Sequence, residues 1–273
     1  MNGFPFGPIA ALTLRQLAGG RRAAAVGALF AVPVGLALLA RFTAVGLFPD
    51  PAQAYGAVVQ GVFAGLLVPF AAILWGSATL ADEIDGGTLV YLFTRPAGRA
   101  RIMAVKLATA IVLLSAALAI SLAASYAAVF LGPVRPPRTG DLLTIMWDLR
   151  ALSLGAAAYA AFAFLLATFL KRSLLAGLIY VFTVDLGANF LPGYLKRVSV
   201  RHHMETLVTH LDTTEAANGG AGAENLLRMA TDSGTTEAQA LWTLGAIAVC
   251  CAMSGLWLVR TREFSPADAA RSL

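Results

Sequence analysis

The chain has 273 residues, of which 58% are apolar and 13% charged, against a typical soluble-domain apolar share of roughly 45 to 50% even with glycine counted. Six apolar runs approach the roughly 20 residues that carry an α-helix across about 30 Å of hydrocarbon, which excludes a soluble enzyme. The formal charge of +5 comes without a basic block or a basic-aromatic surface, so nucleic acid is excluded as a partner.

In chain order, residues 8–22 place Ile9, Leu12 and Leu17 near Arg15, Arg21 and Arg22, the pattern of an amphipathic elbow helix in the inner headgroup layer. The first span is predicted over about 23–40 and the second over 57–81, with Pro49, Asp50 and Pro51 turning the chain between them. Ala44-Val45-Gly46 would suit a signal-peptide cleavage site, but the first run is long enough to span. A third span over 104–131 follows a charged stretch, and a fourth over 152–170 follows Pro133, Pro136 and Pro137. Lys171-Arg172-Ser173 then makes a tight turn into the fifth span, 174–191, which ends at Pro192-Gly193. In the loop over 193–238, Val200, Met204, Leu207, Val208 and Leu211 recur at helical spacing, as expected of a short helix on the outer leaflet. Glycines 219, 220 and 222 link it to a second apolar piece, Leu226 to Ala230. Thr236 and Gln239 form a capping box for the sixth span, 240–259. The expected fold is therefore an all-α integral membrane protein, one domain of six spans with short accessory helices.

Six spans place both termini on one side. That side holds twelve of the 20 basic residues and five of the 15 acidic ones, and the other holds eight basic and nine acidic residues. Because short basic loops stay inside, both termini are expected in the cytoplasm. Membrane lipid is an expected partner of such a chain.

No Gly-x-x-x-x-Gly-Lys-Ser/Thr loop occurs, so the chain lacks the usual phosphate cradle of an ATPase. His-Glu-x-x-His and Gly-x-Ser-x-Gly are also missing, which weakens hydrolase readings. Cys250 and Cys251 are neighbours in an apolar run and read as helix-packing residues. The patterned stretch is the cytoplasmic segment 83–96 and its continuation to Lys106. Thr88 caps a short helix, Leu89, Leu92 and Phe93 give it one apolar face, and Pro96 stops it. Such a helix buries its face either under its own bundle or against a partner. Arg95, Arg99, Arg101 and Lys106 read equally as part of a contact to such a partner and as headgroup contacts or topology markers.

Glu83, Gly87-Thr88-Leu89, Leu92-Phe93, Arg95-Pro96, Arg99 and Lys106, taken in that order, give a segment that resembles the permease subunits of type-2 ABC exporters. Val90 departs from the family where an acidic residue is frequent, and Val105 where a glycine often precedes the lysine. The resemblance extends over the elbow, the six spans and the long last outer loop. It implies a half-transporter: a second permease subunit, identical or different, completes the path. A separate cytoplasmic ABC ATPase subunit would bind ATP and Mg and receive residues 83–96 as a coupling helix. No cofactor is then expected in this chain.

Asp185 and Asn189 lie four apart on the fifth span and therefore on one face. An ionisable residue at membrane depth costs about 2.5 to 3.5 kcal/mol on insertion scales, so this pair is the candidate for the cargo path or for a structural hydrogen bond between helices. His202, His203 and His210 share the outer loop, though no further ligands stand beside them at metal-site spacing. Three function classes remain open: an ATP-driven exporter permease without chemistry of its own, a membrane-embedded enzyme using His202, His203 and Glu205 at the outer leaflet, and a non-transporting anchor or assembly subunit.

Overall fold

A computed structural model describes residues 6–43, 51–85, 98–130, 139–170, 172–185, 187, 199–208 and 236–261. Among these, the ordered elements are all helical. The helices are α1 (Phe6–Ala18), α2 (Gly20–Thr43), α3 (51–85), α4 (Arg99–Phe130), α5 (Thr139–Phe169), α6 (173–185), α7 (Val200–Val208) and α8 (Glu237–Thr261). Four of them contain segments long and apolar enough to cross a membrane: Ala54–Ala81, Arg99–Phe130, Leu143–Phe169 and Glu237–Thr261. Two shorter apolar helices, Ala23–Leu39 and Ser173–Asp185, occupy the places of the expected first and fifth spans.

Two helices depart from α geometry. α3 is π-helical over Val58–Leu67, between α-helical Pro51–Ala57 and Val68–Asp85, and α6 turns π-helical over Val181–Asp185. Pro69 follows the first of these with Val68 between. It has no N–H, and its ring crowds the carbonyl four residues back, at Gly65, so a widened turn upstream relieves both problems.

α5 is the centre of the bundle, packing against α3, α4, α7 and α8. Its buried residues are mostly small, among them Ala151, Gly155, Ala156, Ala160 and Ala163, and small side chains let helix backbones approach closely where hydrocarbon supplies no driving force for association. The closest approach is at Gly76 of α3, where an added Cβ would lie 2.7 Å from the Ala160 carbonyl oxygen. α8 is peripheral: only 17% of its most apolar window is buried, against 61% for α3 and α5. On the other flank, α2 packs along α4, and the Ser121 hydroxyl donates to the Phe30 carbonyl at 2.8 Å.

Several boundaries differ from the sequence expectation for physical reasons. α5 begins at Thr139 rather than near Leu152. The apolar run Leu142 to Leu149 contains Asp148, which reads as the edge of a loop, but the structure turns Asp148 inward and buries it completely. Arg150 stays exposed, with its guanidinium carbon 5.4 Å from the Trp147 ring centroid. Pro51 opens α3 from its first turn, where a missing N–H costs nothing. At α8 the Thr236 N–H donates to Gln239 Oε1 at 3.2 Å and the Gln239 N–H to Thr236 Oγ1 at 3.4 Å, the capping box read from the sequence.

The helix expected on the outer leaflet needs correcting. Val200, Met204, Leu207 and Val208 do form one face of α7, but that face is buried against α5, α8 and the π-helical part of α3. Gly155 of α5 makes room for the Met204 side chain. Protein, not lipid, covers this surface. Leu211, His210 and the piece Leu226 to Ala230 lie outside the described residues.

Close approach at Gly76 gives a direct test. Gly76→Ala should overpack the α3–α5 contact and lower stability by about 1–3 kcal/mol, read as a reduced thermal midpoint of the detergent-solubilised protein. Gly27→Ala, where nothing lies within 4 Å of the new methyl group, should not lower it.

Candidate functional site

The end of the bundle where α6 meets α7 holds a polar cluster built around Asp185. The π-helical end of α6 delivers this residue into the protein, where it is 1% exposed. The Tyr159 hydroxyl from α5 donates to Oδ2 at 2.8 Å, and the Ser199 hydroxyl donates to Oδ1 at 2.7 Å. Ser199 is also the N-cap of α7, its oxygen accepting the His202 N–H at 3.4 Å. The Arg201 backbone N–H donates to Asp185 as well, so the carboxylate faces the positive end of the α7 dipole. One acidic group thus ties α5, α6 and α7 together.

Arg201 extends this cluster. Its Nε donates to Glu205 Oε1 at 2.6 Å, and its Nη2 lies 3.1 Å from where a Cβ would stand on Gly65. Gly65 belongs to the first π-helical stretch, so both π segments converge on the same cluster. His202, His203 and Glu205 do not form one open set. His203 is buried, Glu205 is engaged by Arg201, and the two imidazole rings are 5.6 Å apart, centre to centre. Among the described residues no group of three His, Cys, Asp or Glu side chains is arranged to hold a metal.

A second buried carboxylate, absent from the sequence candidates, lies where α3, α4 and α5 meet. Asp148 is fully buried and accepts from the Tyr55 hydroxyl at 3.3 Å through Oδ2, whereas Oδ1 has no hydrogen-bond partner. Tyr55 packs edge-on to Tyr126 at 5.5 Å, and Phe130 lies 4.4 Å from Tyr126. The one signal in the sequence was the apolar run on both sides of Asp148, which fits a buried residue and the edge of a span equally.

The remaining candidates divide. Asn189 lies outside the described residues, as do Gly87, Thr88, Leu89, Leu92, Phe93, Arg95 and Pro96. Glu83 falls within α3, and Arg99 is exposed at the start of α4. Lys106, read as a headgroup contact or topology marker, is only 2% exposed, and its Nζ is 3.5 Å from Gln16 Oε1 of α1. It joins the amphipathic helix to α4, which that helix also packs along.

A profile of the family described as ABC-2 family transporter protein matches residues 21–185, from the start of α2 to Asp185 and through the patterned segment 83–96. The chain belongs to the ABC-2 transporter family. It is thus a multi-pass membrane protein and the membrane component of an ABC transporter rather than its catalytic part. No curated protein matches it. Within this ABC-2 chain, the match ends where the Asp185 cluster begins, so α7 and α8 lie beyond the matched region.

The cluster makes a graded prediction. Asp185→Asn keeps the size and an acceptor oxygen, and the Tyr159 and Ser199 hydroxyls can rotate to suit it, so the variant should fold with little loss. Asp185→Leu strands both hydroxyls and should cost about 2–6 kcal/mol, at roughly 1–3 kcal/mol for each buried group left unmet. Thermal unfolding of the two purified variants checks the order; equal loss in both would show that charge, not hydrogen bonding, holds the site.

Proposed function

We propose that this chain is the permease subunit of an ATP-driven ABC exporter, with six spans and both termini in the cytoplasm. The observation that carries the reading is the family match over residues 21–185, which includes the segment bearing Gly87-Thr88-Leu89, Leu92-Phe93 and Arg95-Pro96. In this reading residues 83–96 form the coupling helix. Leu89, Leu92 and Phe93 seat in a groove of a separate ATPase subunit, which binds ATP and Mg and whose closure is passed to the spans. Glu83 and Arg99 flank that contact. The lack of a phosphate-binding loop in this chain fits hydrolysis in a partner.

A second permease subunit, identical or different, completes the path. α1 acts as the elbow, held to the third span through Lys106 and Gln16. Asp185 and Asn189 stand beside the path on the fifth span, with Asp185 serving first as the anchor of α7. Basic short loops support the cytoplasmic assignment of Lys171-Arg172 and of residues 95–106. A bacterial or archaeal cytoplasmic membrane is the setting.

Docking should fail before folding does. Leu92→Ala with Phe93→Ala removes apolar contact worth roughly 1–3 kcal/mol per side chain. The double variant should reach the membrane at near-normal abundance yet lose its ATPase in a pull-down and lose cargo-stimulated hydrolysis. Retention of both would return segment 83–96 to a turn packed under its own bundle.

Orientation is tested by labelling intact cells in a background lacking Cys250 and Cys251. Asn218→Cys should react with an impermeant thiol reagent, and Arg172→Cys only after permeabilisation. Arg172 is exposed, whereas its neighbour Ser173 is buried and would be silent on either side. The reverse pattern would place segment 83–96 outside the cell.

A further inference from the structure

α6 and α8 both lean on α5 but share no extended packing with each other. Between them lies a cavity of about 430 Å³, closed at its outer end by the first turn of α7. This is nearly three times the roughly 150 Å³ apolar cavity that holds one benzene ring. It also falls within the roughly 300–1,000 Å³ of small-molecule sites. Phe162, Ile247 and Val200 supply apolar walls, and the Phe162 and Tyr180 rings meet at 4.5 Å. Polar groups reach the lining through Tyr180, His203 and Thr243, but the Thr243 hydroxyl is already engaged by the carbonyls of Gln239 at 2.9 Å and Ala240 at 3.0 Å.

The surroundings set the medium at the mouth. Ala246 in the lining is itself exposed, and so are Ile179 on α6 and Trp242 and Val249 on α8, with Trp242 81% exposed. Large apolar side chains facing outward on two intramembrane helices place the opening in hydrocarbon, and an apolar cavity of this kind disfavours water. We propose that this cavity binds the hydrocarbon chain of an amphiphile that enters sideways from the bilayer between α6 and α8, with its polar group near Tyr180 and His203. The inference rests on the cavity and not on coupling to an ATPase. Two sources supply such a chain, a resident phospholipid and a transported amphiphile.

The probe is phosphatidylglycerol carrying a chain-terminal diazirine, in nanodiscs with the full-length protein and any subunits that purify with it. Adducts mapped by peptide mass spectrometry should concentrate around Phe162 and residues 243–247. Ala246→Trp places bulk at the exposed Ala246 in the mouth and should reduce those adducts by roughly tenfold, the loss that about 1.4 kcal/mol of binding produces. Ala246→Leu narrows the same mouth and serves if tryptophan lowers the folded yield. Val112→Trp, on the exposed face of α4, should change nothing at these positions. Adducts that survive competition by a soluble lysolipid identify a resident lipid, and adducts that competition removes identify an exchanging amphiphile; either supports the site. Labelling spread evenly over the lipid-facing helices, or unchanged by a folded Ala246 variant, would overturn it. Since no nucleotide is present, failure of ATPase capture leaves this result standing, and failure of labelling leaves the permease reading standing.

Discussion

A carboxylate placed in hydrocarbon must find its hydrogen bonds within the protein, because no water is there to supply them. Asp185 meets that demand through Tyr159 and Ser199, and the arrangement of this end of the bundle follows from it. Ser199 can reach Asp185 only if α7 starts beside the end of α6. Once α7 is there, its apolar face falls onto α5 and α8 and its first turn closes the space between α6 and α8. Arg201, carried on the same turn, then comes to rest against Gly65.

Packing supplies the complement to that polar anchor. In lipid, apolar side chains gain nothing by leaving their solvent, so helices adhere through close fit rather than through burial. α5 fits because alanine and glycine occupy most of its contact surface, and because Gly76 offers α3 a seat directly on the Ala160 backbone. Ser and Thr hydroxyls along the spans mostly turn back to carbonyls three or four residues earlier, as Thr79 does to Gly76 and Thr109 to Val105, which removes them from the accounting without a partner helix. Ser121 is different, since it reaches across to α2.

The helices themselves were legible from apolar run length, and the start of α8 from Thr236 and Gln239 alone. Asp148 shows where such reading stops. A charged residue between apolar runs looks the same whether it ends a span or is swallowed by one, and only the partner Tyr55, 93 positions away, decides the matter. The contact of Lys106 was hidden for the same reason, Gln16 lying 90 positions away. Asp185 stood out because no other charge shares its span, yet neither Tyr159 nor Ser199 carried any mark of its role. For α7 the amphipathic face was readable, but whether lipid or protein covers it is a property of the whole bundle. Segment 83–96 is the opposite case: its pattern is plain in the sequence, and the described residues stop at Asp85 and resume at Gly98.

The π-helical stretch in α3 has a bearing on how this span can vary. Each residue in a π-helix advances less around the axis than in an α-helix, so the widened turns over Val58–Leu67 set the angular phase between the two α-helical ends. At one end that phase aims Tyr55 at Asp148; at the other it leaves Gly76 against Ala160. α3 behaves as two faces keyed to different neighbours and joined by a segment of different pitch. Loss of one residue there can be absorbed by a turn that reverts from π to α geometry, which keeps both faces on their neighbours, so length and fit are separable in α3 as they are not in a regular α-helix.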